Sequence, residues 1–504
     1  MFRAQIQMSS FPAKHVQRRR RAWRRICASG GAVLLLAGCQ TAAPDTALPI
    51  PVAFKAAPSG ETPPVSPLWF RGFGSAELDR LVGAALEQNL DIEAAIQRIN
   101  QAEAQAVVAG APLFPNLGAS ADASRQQSSG TGRAGLGGSG SPFRSNSFSL
   151  GLNASYEVDL FGRNRYAARA AETTAIATRF DRDVVALATA ASVANTYFAV
   201  LASQDRLRIA QDNLRIAERV LEAVRGRLNV GTGTALDLAQ QESVVATQRA
   251  TVPPLRQELQ QNRNALAVLV GRTPESMSVA GGSLDRLRLP GVRAGLPSQL
   301  LLRRPDIARD EANLAAAAAN VASARAAFFP SIQLTASGGF QSAALRSLLG
   351  GNSLVYSVAA GLTQPIFDGF NLQGQLALQQ GRAAELAAAY KRTILQSFLD
   401  VENALVAVRE TAEFERRQRE AVAASRRALD ITEQLLRQGT IDIVTLFNVQ
   451  TTLFGNQDAL ARVRLQRFQA LVSLYQALGG GWTAERAVAF AAVADAPFSW
   501  KSVP

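Results

Sequence analysis

Between residues 207 and 228 apolar side chains fall at Leu207, Ala210, Leu214, Ala217, Leu221, Val224 and Leu228, in alternating steps of three and four. That spacing predicts a helix coiled against a neighbour. It closes a proline-free stretch, about 162–230, rich in Ala, Leu, Arg, Gln and Glu, which are good helix formers. A second such stretch, 369–438, carries the same pattern more weakly at Val422, Ser425, Leu429, Thr432 and Leu436. A helix of that length would extend roughly 100 Å and needs a partner as long as itself. Two shorter helical segments, 76–110 and 234–270, are together long enough to lie end to end beside it. Pro253-Pro254 falls inside the second and predicts a kink there, because proline lacks the amide donor.

Elsewhere the period drops to two. Phe148, Leu150, Leu152, Ala154, Tyr156 and Val158 alternate with small or polar residues, as do Leu354, Tyr356, Val358, Ala360 and Leu362. Residues 117–123 and 332–340 repeat the alternation, so four strands are predicted, each with one apolar face. Their length suits a tilted strand crossing a bilayer. Half-buried strands on a soluble core alternate in the same way, so the strands alone leave the two readings equal.

The amino terminus shifts that balance. A basic run, Arg18 to Arg25, precedes a short apolar run that ends in "LLLAGCQ", Leu34 to Gln40. This is the layout of a secretory signal, and the run is too short to span a bilayer. Leu36-Ala37-Gly38-Cys39 resembles the lipobox of bacterial lipoproteins, which implies cleavage before Cys39 and acylation of that residue. Loss of residues 1–38 would remove eight positive charges and no acid, taking the formal charge from +13 to 13 − 8 = +5. It would also remove the only histidine, His15, and the only other cysteine, Cys27. Mature protein is therefore expected to hold no His- or Cys-ligated metal, no histidine triad and no disulfide. No catalytic residue or cofactor is expected. Loss of the dense arginine cluster also removes the main reason to expect nucleic acid as a partner. Seven prolines between Thr41 and Pro67 predict an extended strap.

The rest of the chain is a duplication. Asp91-Ile92 and Phe114-Pro115 recur 215 positions later as Asp306-Ile307 and Phe329-Pro330. Val193, Gly231-Thr232 and Gly271 recur 208 positions later as Val401, Gly439-Thr440 and Gly479. The difference of seven falls in the Gly/Ser-rich stretch Ser128 to Pro142, longer than its counterpart around Gly350. The predicted order is a signal peptide (1–38), the lipidated strap (39–75), then a helix (76–110), a strand pair (111–158) and a long helical hairpin (159–271). A connection (272–295) leads to a second helix (296–328), strand pair (329–366) and hairpin (367–479), and residues 480–504 close the chain. The stretches after Gly271 and Gly479 break the helical pattern and are expected to form a belt around the helices.

No segment reads as a membrane helix, and in lipid only a closed barrel otherwise satisfies every backbone group. Four strands cannot close, since the smallest membrane barrels have about eight. The barrel must then be shared among subunits in a head-to-tail ring.

The residues now on view resemble the TolC-like outer-membrane efflux proteins, and in particular their lipoprotein branch. The resemblance is carried by "LWFRGF" at Leu68, "NLDIEAA" at Asn89, "LFPNL" at Leu113, "YEVDLFGRNR" at Tyr156, "NVGTGTALDL" at Asn229, "LLRRPDI" at Leu301, "AAFFPSI" at Ala326 and "QPIFDG" at Gln364. It implies an α+β membrane protein, in which three chains of four strands each form one twelve-stranded β-barrel in the outer membrane. A long α-helical coiled-coil barrel would continue it through the periplasm. It also implies a periplasmic adaptor (membrane fusion protein), an inner-membrane pump of the resistance-nodulation-division (RND) class, and passive export of small molecules. A duct for type I protein secretion and a lipid-tethered coiled-coil scaffold without a pore are the alternatives.

Two motifs imitate chemistry. Glu157 and Asp159 sit two apart like an acid and base pair, but Asp159 is expected to pair with Arg163 or to cap the next helix. "GTGTALD" at Gly231 lacks the lysine of a phosphate loop and reads as a tight turn between helices. By resemblance, this turn and its repeat are the tunnel's free tips, with Gly231, Thr232, Gly439 and Thr440 docking the adaptor. The pore constriction is then expected at Asp237, Asp442, Val444, Thr445 and Asn448. Many relatives carry aspartates at the positions of Thr445 and Asn448, so this gate is expected to be less acidic than theirs.

Overall fold

A computed structural model of the chain describes residues 46–55, 65–128, 143–292, 294–438 and 440–482. The signal peptide, Cys39, Gly439 and residues 483–504 lie outside the described residues.

The first half runs α1 (Ala76–Gln88), α2 (Leu90–Gly110), β1 (Asn116–Ser128), β2 (Phe143–Val158), α3 (Arg163–Asn229) and α4 (Ala235–Leu269). A short α5 (Pro297–Leu300) opens the second half, followed by α6 (Pro305–Ala326), β3 (Ser331–Ser342), β4 (Leu354–Thr363), α7 (Asn371–Arg437) and α8 (Ile443–Ala477). Both α3 and α7 are 67 residues long. The segment expected as one helix over 76–110 is two, because Asn89 has extended backbone and its side chain caps the amides of Asp91 and Ile92. Helix α4 runs unbroken through Pro253 and Pro254. Both prolines are exposed, as are Arg249 and Ala250, whose carbonyls lose their amide partners and can turn to water.

The short helices stack end to end beside the long ones. Asn89 Nδ2 donates to the Leu269 carbonyl at 2.9 Å, joining the start of α2 to the end of α4. Helix α3 packs against α2, α4, α6 and α8, and α7 against α6 and α8. The result is a wall of four rods, with α2–α4 and α7 at its outer edges.

Mid-wall, a belt closes over the principal core. Trp69, Phe70 and Phe73 of "LWFRGF" are buried there, with Trp69 stacked on Tyr475 at 5.1 Å and Phe73 tilted against Phe198 at 4.9 Å. A smaller core buries Phe54 of the strap among Ala294, Leu300, Val401, Ala404 and Leu474. The adjacent Lys55 amide donates to Glu402 Oε1 at 2.6 Å. One window of α3 does have the length and composition of a membrane helix, contrary to the sequence reading. Half of that window is buried within the protein, and nine residues of α3 between Ala190 and Ala202 belong to the principal core, so its apolarity answers to packing.

The four strands form one antiparallel sheet in the order β1-β2-β3-β4.

Candidate functional site

Register turns four separate alternations into one surface. Leu117, Ala154, Ala336 and Val358 are paired across the sheet, and so are Ala119, Leu152, Gly338 and Tyr356, then Ala121, Leu150, Phe340 and Leu354. The intervening rows run Gly118-Asn153-Ser337-Ser357 and Asp122-Ser149-Gln341. Side chains alternate across a pleated strand, so one face of the sheet is apolar and the other polar. Leu117, Leu152, Leu354, Tyr356, Val358 and Leu362 are exposed on the apolar face. Strands β1 and β4 are the edges and keep one side of their backbones unpaired among the described residues. An open sheet with an uncovered apolar face and two free edges is one share of a larger barrel.

At the root of this sheet, Arg163 grips Glu157 through two bonds of 2.7 and 2.9 Å. Asp159 does not pair with Arg163; it accepts from the amides of Asn164 and Arg165 and caps α3. The cap and the left-handed Gly162 turn the chain from strand into helix.

The tips are at the other end of the long helices. Helix α3 ends as Thr232 N donates to Arg227 O at 2.9 Å, with Gly231 left-handed and the Thr232 hydroxyl on the same carbonyl. Thr440 repeats this at α7, its amide and hydroxyl both donating to Leu435 O. Helix α4 then starts with a capping box, in which Thr234 and Asp237 exchange hydrogen bonds. Helix α8 starts at Asp442, which accepts from the Thr445 amide at 2.8 Å and hydroxyl at 2.6 Å. The Thr445 hydroxyl, then its amide, hold the Asp442 carboxyl below the usual aspartate range. Asp442, Val444, Thr445 and Asn448 share an exposed stripe, while Ile443, Leu446 and Phe447 turn inward against Val224 and Leu429. Asp237 stands apart from them on α4, with its carboxylate engaged in the cap.

The family profile for outer membrane efflux proteins matches residues 81–272 and 296–480. The chain belongs to the outer membrane efflux protein family. The two matched spans are the two repeats. Pyoverdine export outer membrane protein OpmQ of Pseudomonas aeruginosa is 40% identical over 460 residues, 90% of this chain and 96% of OpmQ. A protein of Salmonella typhimurium named "Probable outer membrane lipoprotein SilC" is 30% identical over 464 residues, 89% of this chain and 97% of SilC. Among solved structures, the open state of the Neisseria gonorrhoeae MtrE outer membrane channel superposes with a TM-score of 0.79 at 30% identity, over 88% of this chain and 98% of MtrE. The chain is thus an outer-membrane efflux channel with the TolC-like α+β fold.

Sequence reading missed the charged joints of this efflux protein. Glu415 on α7 is almost fully buried and binds Arg419 at 2.5 Å, Arg464 at 3.1 Å and Arg467 at 2.7 Å, the last two on α8. Burial opposes its ionisation, but the hydrogen bond from Arg467 and the charge of Arg419, with Arg464 beside them, hold its carboxyl below the usual glutamate range. Arg206 likewise ties α3 to Glu258 of α4 and Asp458 of α8, each at 2.7 Å. Apart from Arg419, four residues along the same helix, these partners lie about 50 or more residues apart and leave no local pattern to find.

Proposed function

We propose that three copies of this chain close a twelve-stranded barrel and work as the passive outer-membrane duct of a tripartite efflux system for small molecules. The observation that carries this is the apolar sheet face, aligned by register across four strands whose two edges stay free. Three four-stranded shares close a barrel above the minimum of about eight strands. Free energy for transport comes from an inner-membrane pump of the RND class, reached through a periplasmic adaptor. Cys39, acylated, anchors the strap in the membrane, and the burial of Phe54 pins the strap's other end to the belt.

The constriction lies on the exposed tip stripe of Asp442, Val444, Thr445 and Asn448, with Asp237 on the neighbouring tip. The adaptor docks at Gly231, Thr232, Gly439 and Thr440 and enters the adjoining groove of about 870 Å³, lined by Arg215, Glu218, Arg225, Arg249 and Arg426. Docking splays the tips by a rigid movement of the paired helices.

The test is single-channel recording of wild type beside Asp442→Asn and Val444→Ser. Three carboxylates in a narrow pore attract cations and an apolar ring resists wetting. The expected outcome is weaker block by multivalent cations in the first variant and larger conductance in the second. Unchanged traces for both would move the constriction elsewhere. Mass analysis of the mature N-terminus is expected to show an acylated Cys39, and an unmodified cysteine would refute the anchor.

A further inference from the structure

The apolar face has an upper limit, and what lies above it is arginine. From the row of Val158, Ile332 and Leu362 to the row of Phe148 and Ala123 the strand advances ten residues, about 33 Å at roughly 3.3 Å per residue. At a tilt of about 40° this is a band about 25 Å tall, the height of a barrel's lipid-facing belt. Strand β3 stops at that row and β4 one row before it, but β1 and β2 continue for two more rows on the same face, Arg125 opposite Asn146 and Gln127 opposite Arg144. Arg125 and Arg144 are diagonal neighbours, about 7–8 Å apart at the backbone, close enough for both side chains to reach one phosphate. Arg144 Nε donates to Gln127 Oε1 at 2.8 Å, across the same pair of strands.

Nothing acidic competes for them. Residues 123–156 contain three arginines and no Asp or Glu, and residues 331–363 contain Arg346 and no Asp or Glu. Asp122, the nearest acid, is in register with Ser149 on the polar face. Because β1 leaves α2 at the periplasmic root and the hairpin turns at its far end, this arginine pair stands at the outer rim of the membrane.

We propose that Arg125 and Arg144 form a binding site for the phosphate groups of the phosphorylated glycolipid in the outer leaflet of the outer membrane. A guanidinium fork binds phosphate bidentately, and a site on the lipid-facing side just above the apolar band meets headgroups rather than bulk water. Closure into a trimer places three such pairs around the rim. The proposal rests on the apolar face meeting lipid.

Full-length protein in detergent is titrated with bisphosphorylated lipid A, with the same lipid A after enzymatic dephosphorylation, and with phosphatidylglycerol, and binding is read by native mass spectrometry. Wild type is expected to bind bisphosphorylated lipid A at least tenfold more tightly than either other lipid. Arg125→Gln with Arg144→Gln should abolish that preference, and Arg125→Lys with Arg144→Lys should keep part of it. Equal binding of the dephosphorylated lipid, equal binding of phosphatidylglycerol, or an undiminished preference in the glutamine pair would each overturn the site. Single-channel recording of the same samples separates the two readings. Conduction with no lipid preference removes the site alone, whereas absence of conduction removes the duct.

Discussion

At the scale of single residues, each of the two repeats joins its stacked helices by the same device. Gly271 and Gly479 follow the ends of α4 and α8 with φ of 75° and 87°, and a Cβ on either would collide with a backbone carbonyl, of Gln88 and of Arg303 respectively. Those carbonyls are again 215 positions apart, so the close approach is itself duplicated. Gly479→Ala is expected to cost at least about 2 kcal/mol, from the left-handed backbone and the collision together. Gly455→Ala, at a helical position with open space around it, should instead stabilise by about 0.5–1 kcal/mol. Thermal unfolding of both variants checks the contrast. Glu415 makes a second case. Its folded carboxyl titrates below its unfolded value, so its contribution is present above the unfolded pKa and is lost as pH falls through the folded one. Glu415→Gln is expected to cost about 1–3 kcal/mol near neutrality, because half-buried Arg464 and Arg467 lose the charge they share, and to flatten the loss of stability below about pH 5. A pH series of unfolding midpoints for variant and wild type measures both effects.

At the scale of elements, strand and helix obey different neighbours. Each strand has one face for lipid and one for water, and a one-residue slip would exchange them. Val358 and Ser357 are adjacent on β4, near mid-band, and point to opposite faces. Arginine at the lipid face costs about 2–4 kcal/mol at the midplane. Val358→Arg should therefore deplete assembled protein in the outer membrane, while Ser357→Arg should leave assembly near wild type. Comparing heat-resistant oligomer in membrane fractions decides it. The helices were legible in outline from their period, as were the strands, and the tip turns from Gly231 and Thr234. The break at Asn89 was not, because a capping asparagine inside a long apolar-periodic stretch resembles any other polar position. The Arg163 pairing with Glu157 was missed for a related reason. Asp159 and Glu157 were both within reach in sequence, and only the end of β2 at Val158 freed Asp159 to cap α3.

At the scale of the whole molecule, one chain supplies a third of a wall and a third of a barrel. Free edges at β1 and β4, and at α7 and the α2–α4 line, are all met by the same ring closure. Native mass measurement should find three copies, and the same sample should conduct ions in a planar bilayer. A stable monomer that never conducts would overturn the duct.

Period, duplication and the signal-like amino terminus were written in the sequence alone, because each depends on residues close together or on a copy of them. They led to four strands, two very long helices and a barrel that one chain cannot complete. Tertiary structure decided which rods lie side by side, that register merges four apolar strand faces into a single band, and that Glu415 gathers arginines from two helices. It also decided that two glycines carry the junctions between stacked helices. These are long-range choices, made by packing between segments hundreds of residues apart, and no local period encodes them.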